Sequence, residues 1–418
     1  MLLLLLACPP KHTGGKRVQL ESFEYAWSRI EAAHYDEDMN GIDWDAVHDE
    51  LEPQAKKAKT NAELRPVLEE MFTRLGDSHY GIMPLEVAEG LPGPDAGLGN
   101  GMLDLDLRLI DGEAVVSRTN ESGVELGWVL SSLGGNDLAV WLAEREALTD
   151  REVAFRLNHL VRSGLTGLPV TTTWRNGADE EVSLELQWKA NDGMLAEIGN
   201  LPAFYVNVRS QRVDSCWLYA FNAFFPPILD PWAEAVSDAK TGDSQGMILD
   251  LRGNPGGVSG LSVGVASYLV QEKGQVLGVM RSRDSSFNFL VTPRPGSDRF
   301  DGPVAVLIDG MSASTSEILA GGLQGIGRAT VFGTNSAGMA LPSTFETLPN
   351  GDRLQLVLAD LVGPNGERLE GAGVAPDVVI PLTREALLTG QDPVIAAATA
   401  WVVEQYPEEE EPPEETDR

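Results

Sequence analysis

The sequence predicts an α/β protein: a mostly parallel sheet, preceded by an N-terminal helical domain and a second, smaller inserted domain. Three observations carry this. From about Ile198 onward, apolar runs such as Met247–Leu251 and Val304–Ile308 alternate with stretches of helical spacing, the order expected of parallel strands joined by right-handed crossovers. Between Leu20 and Leu75 the spacing is helical instead: Phe23, Ala26, Trp27 and Ile30, then Leu64, Val67, Leu68, Met71, Phe72 and Leu75. From Gly97 to about Trp188 short alternating segments take over, with one helical stretch over about 149–163.

Composition excludes several functions. With 63 acidic against 31 basic residues, the net charge of −32 leaves no basic footprint for nucleic acid. Part of the excess sits in Glu408–Glu411, Glu414, Glu415 and Asp417, a proline-interrupted tail that reads as solvated and disordered. Two cysteines, Cys8 and Cys216, make neither a disulfide framework nor a metal set, and there is no P-loop and no HExxH. No metal and no nucleotide cofactor are expected. Cys8 closes the run Met1-Leu-Leu-Leu-Leu-Leu-Ala-Cys8, which resembles a bacterial lipobox although no Lys or Arg precedes it. A lipid anchor there implies a cell-envelope location, periplasm or outer membrane, and makes Cys216 a lone thiol read as a small buried apolar residue.

Taken in order, residues 1–17 read as a lipoprotein-type signal and tether, and 18–89 as the helical domain. Within it, Asp36-Glu-Asp-Met-Asn-Gly41 imitates a calcium loop, but the twelfth position from Asp36 is Val47 where a bidentate Glu is required. A turn before the helix starting near Asp43-Trp44 is the reading. Gly76-Asp-Ser-His-Tyr-Gly81 leaves the last helix as a turn, and Gly/Pro-rich residues link it to the next domain. Residues 90–190 resemble a PDZ domain in their order of strands and helix. Gly97, Leu98 and Gly99 stand where such domains keep the amide-rich loop that receives a peptide's terminal carboxylate. The α/β core spans 191–388, with strands near 203–208, at 247–251, 304–308 and 330–332, and helices at 228–240 and up to Val270. A hairpin-like interval (276–294) and a β-rich end follow. Residues 389–418 make a C-terminal helix and the acidic tail.

Ser314 opens the helical pattern after the Val304–Ile308 strand. Ser314-x-x-Glu317 is a capping box in spelling. The same geometry leaves free amides and a positive helix end around Ser314, which suits an exposed nucleophile and an oxyanion. Gly256-Gly257, in Arg252-Gly-Asn-Pro-Gly-Gly257, either allows backbone amides close to a ligand or makes a tight strand-to-helix turn that Asp250 and Arg252 fix.

Leu249-Asp-Leu-Arg-Gly-Asn-Pro-Gly-Gly257, Ser312-Ala-Ser-Thr-Ser-Glu317, Gly333-Thr-Asn-Ser-Ala-Gly338 and Leu369-Glu-Gly-Ala-Gly-Val-Ala-Pro-Asp377 together resemble the C-terminal-processing (tail-specific) and tricorn-type serine peptidases. That resemblance implies an α/β protease core with a crotonase/ClpP-like βα superhelix and an inserted PDZ-like domain. The dyad branch of the family places a lysine 25 residues after its serine; here that position is Met339, which accepts no proton. The tricorn-type branch uses a histidine from the N-terminal region, preceded by a serine, and a late glutamate. Of His12, His34, His48, His79 and His159, only His79 follows a Gly-Asp-Ser turn. The resemblance therefore implies Ser314 as nucleophile, His79 as base, Ser78 and Glu370 behind it, and an oxyanion hole from Gly256 or Gly257 with Thr315. Taken without it, Ser78 is a helix-terminal cap, His79 a surface or capping residue, and Glu370 a solvated carboxylate near Pro364-Asn-Gly366. The implied partner is a peptide or unfolded protein. The alternative is a catalytically inactive peptide-binding lipoprotein of the same fold, favoured by the unusual Thr315, Met339 and Tyr80. Esterase or acyl-transfer chemistry from the same serine stays open.

Overall fold

The computed structural model describes residues 15–85, 101–145, 148–197, 203–242 and 244–405. Six strands make its central sheet, in the order Val208–Val213, Cys216–Phe221, Gly246–Asp250, Val304–Ile308, Thr330–Gly333 and Val378–Val379. The first two pair antiparallel and every later neighbour is parallel. Continuous apolar runs become central strands here because both faces are covered. Met247, Leu249, Val304, Val306 and Ile308 join Trp232, Val265, Ile318 and Leu323, from helices Leu229–Thr241, Gly260–Ala266 and Thr315–Gly325. Their neighbours Ile248, Ala305, Leu307 and Phe332 pack instead on Val394, Ala398 and Val402 of helix Pro393–Glu404. Cys216 lies in that second layer as a buried free thiol, its pKa raised by burial.

One strand differs from the sequence reading. The region near 203–208 is the short strand Phe204–Val206 followed by a longer one, Val208–Val213, which is an edge of the central sheet. Ser210, Gln211 and Arg212 face solvent there, so no apolar run betrays it.

Helices Lys16–Ala33, Trp44–Ala55 and Asn61–Leu75 enclose Phe23, Ile30, Leu51, Leu64, Leu68 and Met71. The layer is closed by Leu348, Leu354 and Leu356 from the hairpin Ser343–Thr347/Arg353–Val357, to which Gly81–Met83 adds an antiparallel third strand. Arg65 pairs with fully buried Asp352 at 2.8 Å, and Arg29 with Glu346 at 2.6 Å. Asp36 accepts the amides of Asp38 and Asn40, and Asp43 caps the next helix through the Ala46 amide. The segment is the turn that the count of calcium ligands favoured.

Residues 101–190 form an antiparallel sheet, Leu105–Ile110, Glu113–Thr119, Val129–Leu133, Pro169–Arg175 and Glu181–Gln187, around Leu107, Val116, Leu130, Leu157 and Trp174. Its helix Asp150–Leu160 begins with a capping box, Thr149 with Glu152. Cys8, Gly97, Leu98, Gly99 and the acidic tail lie outside the described residues. Among the described residues no helix is long and apolar enough to cross a membrane.

Candidate active site

Ser314 stands in the turn between the strand Val304–Ile308 and the helix Thr315–Gly325, with φ 54° and ψ −116°. A non-glycine residue held at positive φ is uncommon and needs surroundings that over-determine it. Its amide donates to Met339 O at 2.7 Å and to Glu317 Oε2 at 2.9 Å. Glu317 is fully buried, and its carboxylate also accepts Ser336 Oγ at 2.6 Å, Gly338 N at 2.7 Å and Met339 N at 3.0 Å. Burial pushes its pKa up while those donors pull it back. The glutamate of Ser-x-x-Glu therefore reaches back to the Ser314 amide, and it also braces 336–339 against the Ser314 turn. That second role was not read from the sequence, although a charged residue opening so apolar a helix was the available signal.

Gly256 packs against the same turn. A side chain there would meet Ala313 O and Ser314 Cβ at 2.7 Å and Thr315 N at 2.8 Å, and its φ is +96°. Gly257 lies against Phe224 O, where a Cβ would stand at 2.3 Å. The two glycines differ in what their amides do. Gly256 N donates to Asn254 Oδ1 at 2.9 Å, so it is already committed. The amides of Gly257 and Thr315 have no hydrogen-bond partner among the described residues. Asp250 and Arg252 pair at 2.8 Å, and Arg252 reaches Asp392 at 2.8 Å, so both serve the turn and the last helix.

The histidine side is assembled by Gly76, whose φ of +72° ends the helix Asn61–Leu75 and turns the chain. Glu370 then grips Ser78 twice: Oε1 accepts Ser78 N at 2.8 Å and Oε2 accepts Ser78 Oγ at 2.9 Å. Ser78 Oγ lies 2.7 Å from His79 Nδ1. A hydroxyl has one proton, and here the carboxylate receives it, so His79 Nδ1–H is the donor in that contact and Nε2 keeps its lone pair. His79 itself has φ 62°. Burial, with Arg151 second, lowers its pKa to about 4. The ring is neutral at neutral pH.

Among the described residues no hydrogen bond joins His79 to Ser314. The halves share the segment Gly338–Ala340 instead: Met339 O takes the Ser314 amide, and Ala340 N donates to Glu370 Oε2 at 2.9 Å. Catalytic hydrogen bonds are often loose until substrate arrives. Of the remaining histidines, His34 is buried against Asp77 at 2.9 Å, His48 meets Glu24 at 3.1 Å, and His159 is exposed; His12 lies outside the described residues. Tyr80 packs its ring on Phe72 and His34, and its hydroxyl has no partner among the described residues.

Two arginines of the 101–190 segment, neither singled out from sequence, reach this site. Arg151 donates to Gly310 O at 3.1 Å and Ala337 O at 2.9 Å, and meets Met339 Sδ. Arg108 donates to Asp309 Oδ2 at 3.2 Å, while Asp309 Oδ1 accepts Gly253 N at 2.9 Å and Met311 N at 3.0 Å. The only metal-suited grouping among the described residues is Glu24, His48 and Glu52. Glu52 already pairs with Lys56 at 2.5 Å, and none of the three bonds to the residues above.

Residues 221–380 match the model described as Peptidase family S41, and residues 19–73 the Tricorn protease C1 domain. A carboxy-terminal-processing protease of Bartonella bacilliformis is 35% identical over 144 residues, 34% of this chain and 33% of that protein. The chain covers between 33% and 48% of the length of such curated relatives. The photosystem II D1 C-terminal processing protease superposes with a TM-score of 0.56 at 19% identity, covering 90% of this chain and 98% of that one. A lipoprotein from Streptococcus agalactiae gives 0.53 at 14% identity, over 96% and 100%. At such identities the two structures share the fold and nothing finer.

Proposed function

We propose that this chain, which belongs to peptidase family S41, is a serine endopeptidase that hydrolyses peptides or unfolded proteins through Ser314, His79, Ser78 and Glu370. The observation that carries the tetrad is the one-way relay Glu370···Ser78···His79, which leaves Nε2 as the free base. His79 takes the Ser314 proton as Oγ attacks the peptide carbonyl, then returns it to the departing amine. Ser78 and Glu370 hold the ring in the tautomer this needs and stabilise the imidazolium that forms. The oxyanion is received by the amides of Gly257 and Thr315, while Gly256 supplies the close approach; one such donor is worth about 2.7–4 kcal/mol.

Residues 90–190 are read as a PDZ-like domain that recruits extended substrate ends, with Gly97, Leu98 and Gly99 as its carboxylate loop. The crotonase/ClpP-like description of the core belongs to the same reading. Leu-Ala-Cys8 supports export to the cell envelope and a lipid anchor; the mass of the mature chain, with or without acyl groups on Cys8, tests it.

The competing reading is a peptide-binding protein without turnover, which the missing His79–Ser314 hydrogen bond favours. Incubation with an unfolded protein substrate separates the two. Cleavage by the parent chain, lost in Ser314→Ala and in His79→Ala, is the expected result. Binding without cleavage between about pH 5 and 9, a range over which a His79 imidazole with its pKa lowered to about 4 stays in its proton-accepting form, overturns the peptidase.

A further inference from the structure

We infer that Asp77 is a positioning residue for the base, a claim that rests on His79 serving as one. Its carboxylate, buried with its side chain 6% exposed, collects donors from the chain that follows the first helix. Asn40 Nδ2 donates to Oδ2 at 2.9 Å, and His34 Nε2 stands 2.9 Å from the same oxygen. Tyr35 OH donates to Oδ1 at 3.1 Å. Asn40 Nδ2 also holds Leu75 O at 3.1 Å, so the helix end and the turn share one clamp.

The far side of the clamp is what ties it to catalysis. Arg368 donates to Tyr35 OH at 2.6 Å and stands 3.9 Å from Asp77 Oδ1. Two residues on, Glu370 holds Ser78. Arg368 and Glu370 flank buried Leu369 and grip two consecutive residues, one through the Tyr35–Asp77 pair and one directly. Asp77 and Tyr80 face the helical layer; Ser78 faces Glu370. Fixing Asp77 therefore fixes the register of Ser78 and His79 against 368–370. Burial, which raises the Asp77 pKa, is outweighed by His34, Asn40 and Tyr35, and the group remains a carboxylate able to take several donors at once. An amide in its place offers one acceptor oxygen and two protons that face donors.

A double-mutant cycle on the full chain distinguishes placement from plain stability. The readouts are fluorophosphonate acylation of Ser314 and kcat and KM for a peptide substrate. Asp77→Asn is expected to lower acylation and kcat about tenfold with KM within about twofold. In a Glu370→Gln background, where the Ser78 hydroxyl has already lost its carboxylate acceptor, the same change is expected to cost less than about twofold. Should Asp77→Asn fold poorly, Tyr35→Phe removes one donor to Asp77 together with the acceptor of Arg368 and is expected to cost about threefold in the same direction. An unchanged acylation rate in Asp77→Asn, or an equal loss in both backgrounds, overturns the inference. Absence of acylation in the parent chain would instead remove the reading of His79 beneath it.

Discussion

The two halves of the site are built in opposite ways. The turn of Ser314, the proposed nucleophile, is held from within the central core: a strand end, a helix start, Glu317 three residues on returning to the Ser314 amide, and Met339 O taking the same amide. The base turn is held almost wholly from a distance. Glu370 grips Ser78 across 292 positions, and Arg65 ties the same helical layer to Asp352 across 287. What this teaches is that the serine is placed once the central sheet forms. The histidine is placed only when the N-terminal helices dock on a hairpin made by the last part of the chain. Catalysis should thus be lost through the base side by changes that leave the nucleophile undisturbed.

The harshest way to break the contrast is to remove each half outright. Ser314→Ala and His79→Ala should each lower peptide hydrolysis by at least about 10⁴-fold, and the double variant should lose little more, because the groups act as a unit. Unequal losses, with His79→Ala mild, would separate the halves. Glu370→Gln comes next. It keeps the shape but weakens the pull on the Ser78 proton, and a loss between about 10² and 10⁴ in kcat is expected. Asp352→Ala, which leaves Arg65 without its buried carboxylate, should cost about 3–5 kcal/mol of stability in denaturant melts. Hydrogen exchange should show the helical layer opening while Val304–Ile308 stays protected; uniform loss of protection would contradict two separately stabilised halves. Smallest is Arg151→Met. Its charge is the lesser cause of the low His79 pKa, after burial, so the acid limb of the pH profile should rise by less than about one unit.

Legibility followed the same divide. Ser314, its strand and its helix were readable because apolar runs, Gly-rich turns and a small-residue helix are local patterns. His79 is proposed as the base from its Gly-Asp-Ser turn and from resemblance, and the contact of Glu370 with Ser78 was suggested by resemblance alone, since nothing in the neighbourhood of Pro364-Asn-Gly366 says that its carboxylate reaches Ser78. Arg108 and Arg151 were missed because a charged residue on a helix or strand ordinarily faces water; only tertiary contact sends them to Asp309 and Gly310. The edge strand Val208–Val213 was missed for its polar face. The choice between the two glycines needed the side chain of Asn254, whose oxygen takes the Gly256 amide.

The relay predicts a base that stays unprotonated well into acid. Because burial lowers the pKa of His79 from 6.5 to about 4, the proton-accepting form should persist as pH falls through 6 and 5. The rate constant for fluorophosphonate acylation of Ser314, followed from about pH 3 to 9, tests this most directly. A single acid limb with its midpoint near 4, absent in a slow and pH-insensitive His79→Ala, is the predicted result. A parent profile that matches His79→Ala at every pH would contradict it, for the imidazole would then have no part in activating Ser314.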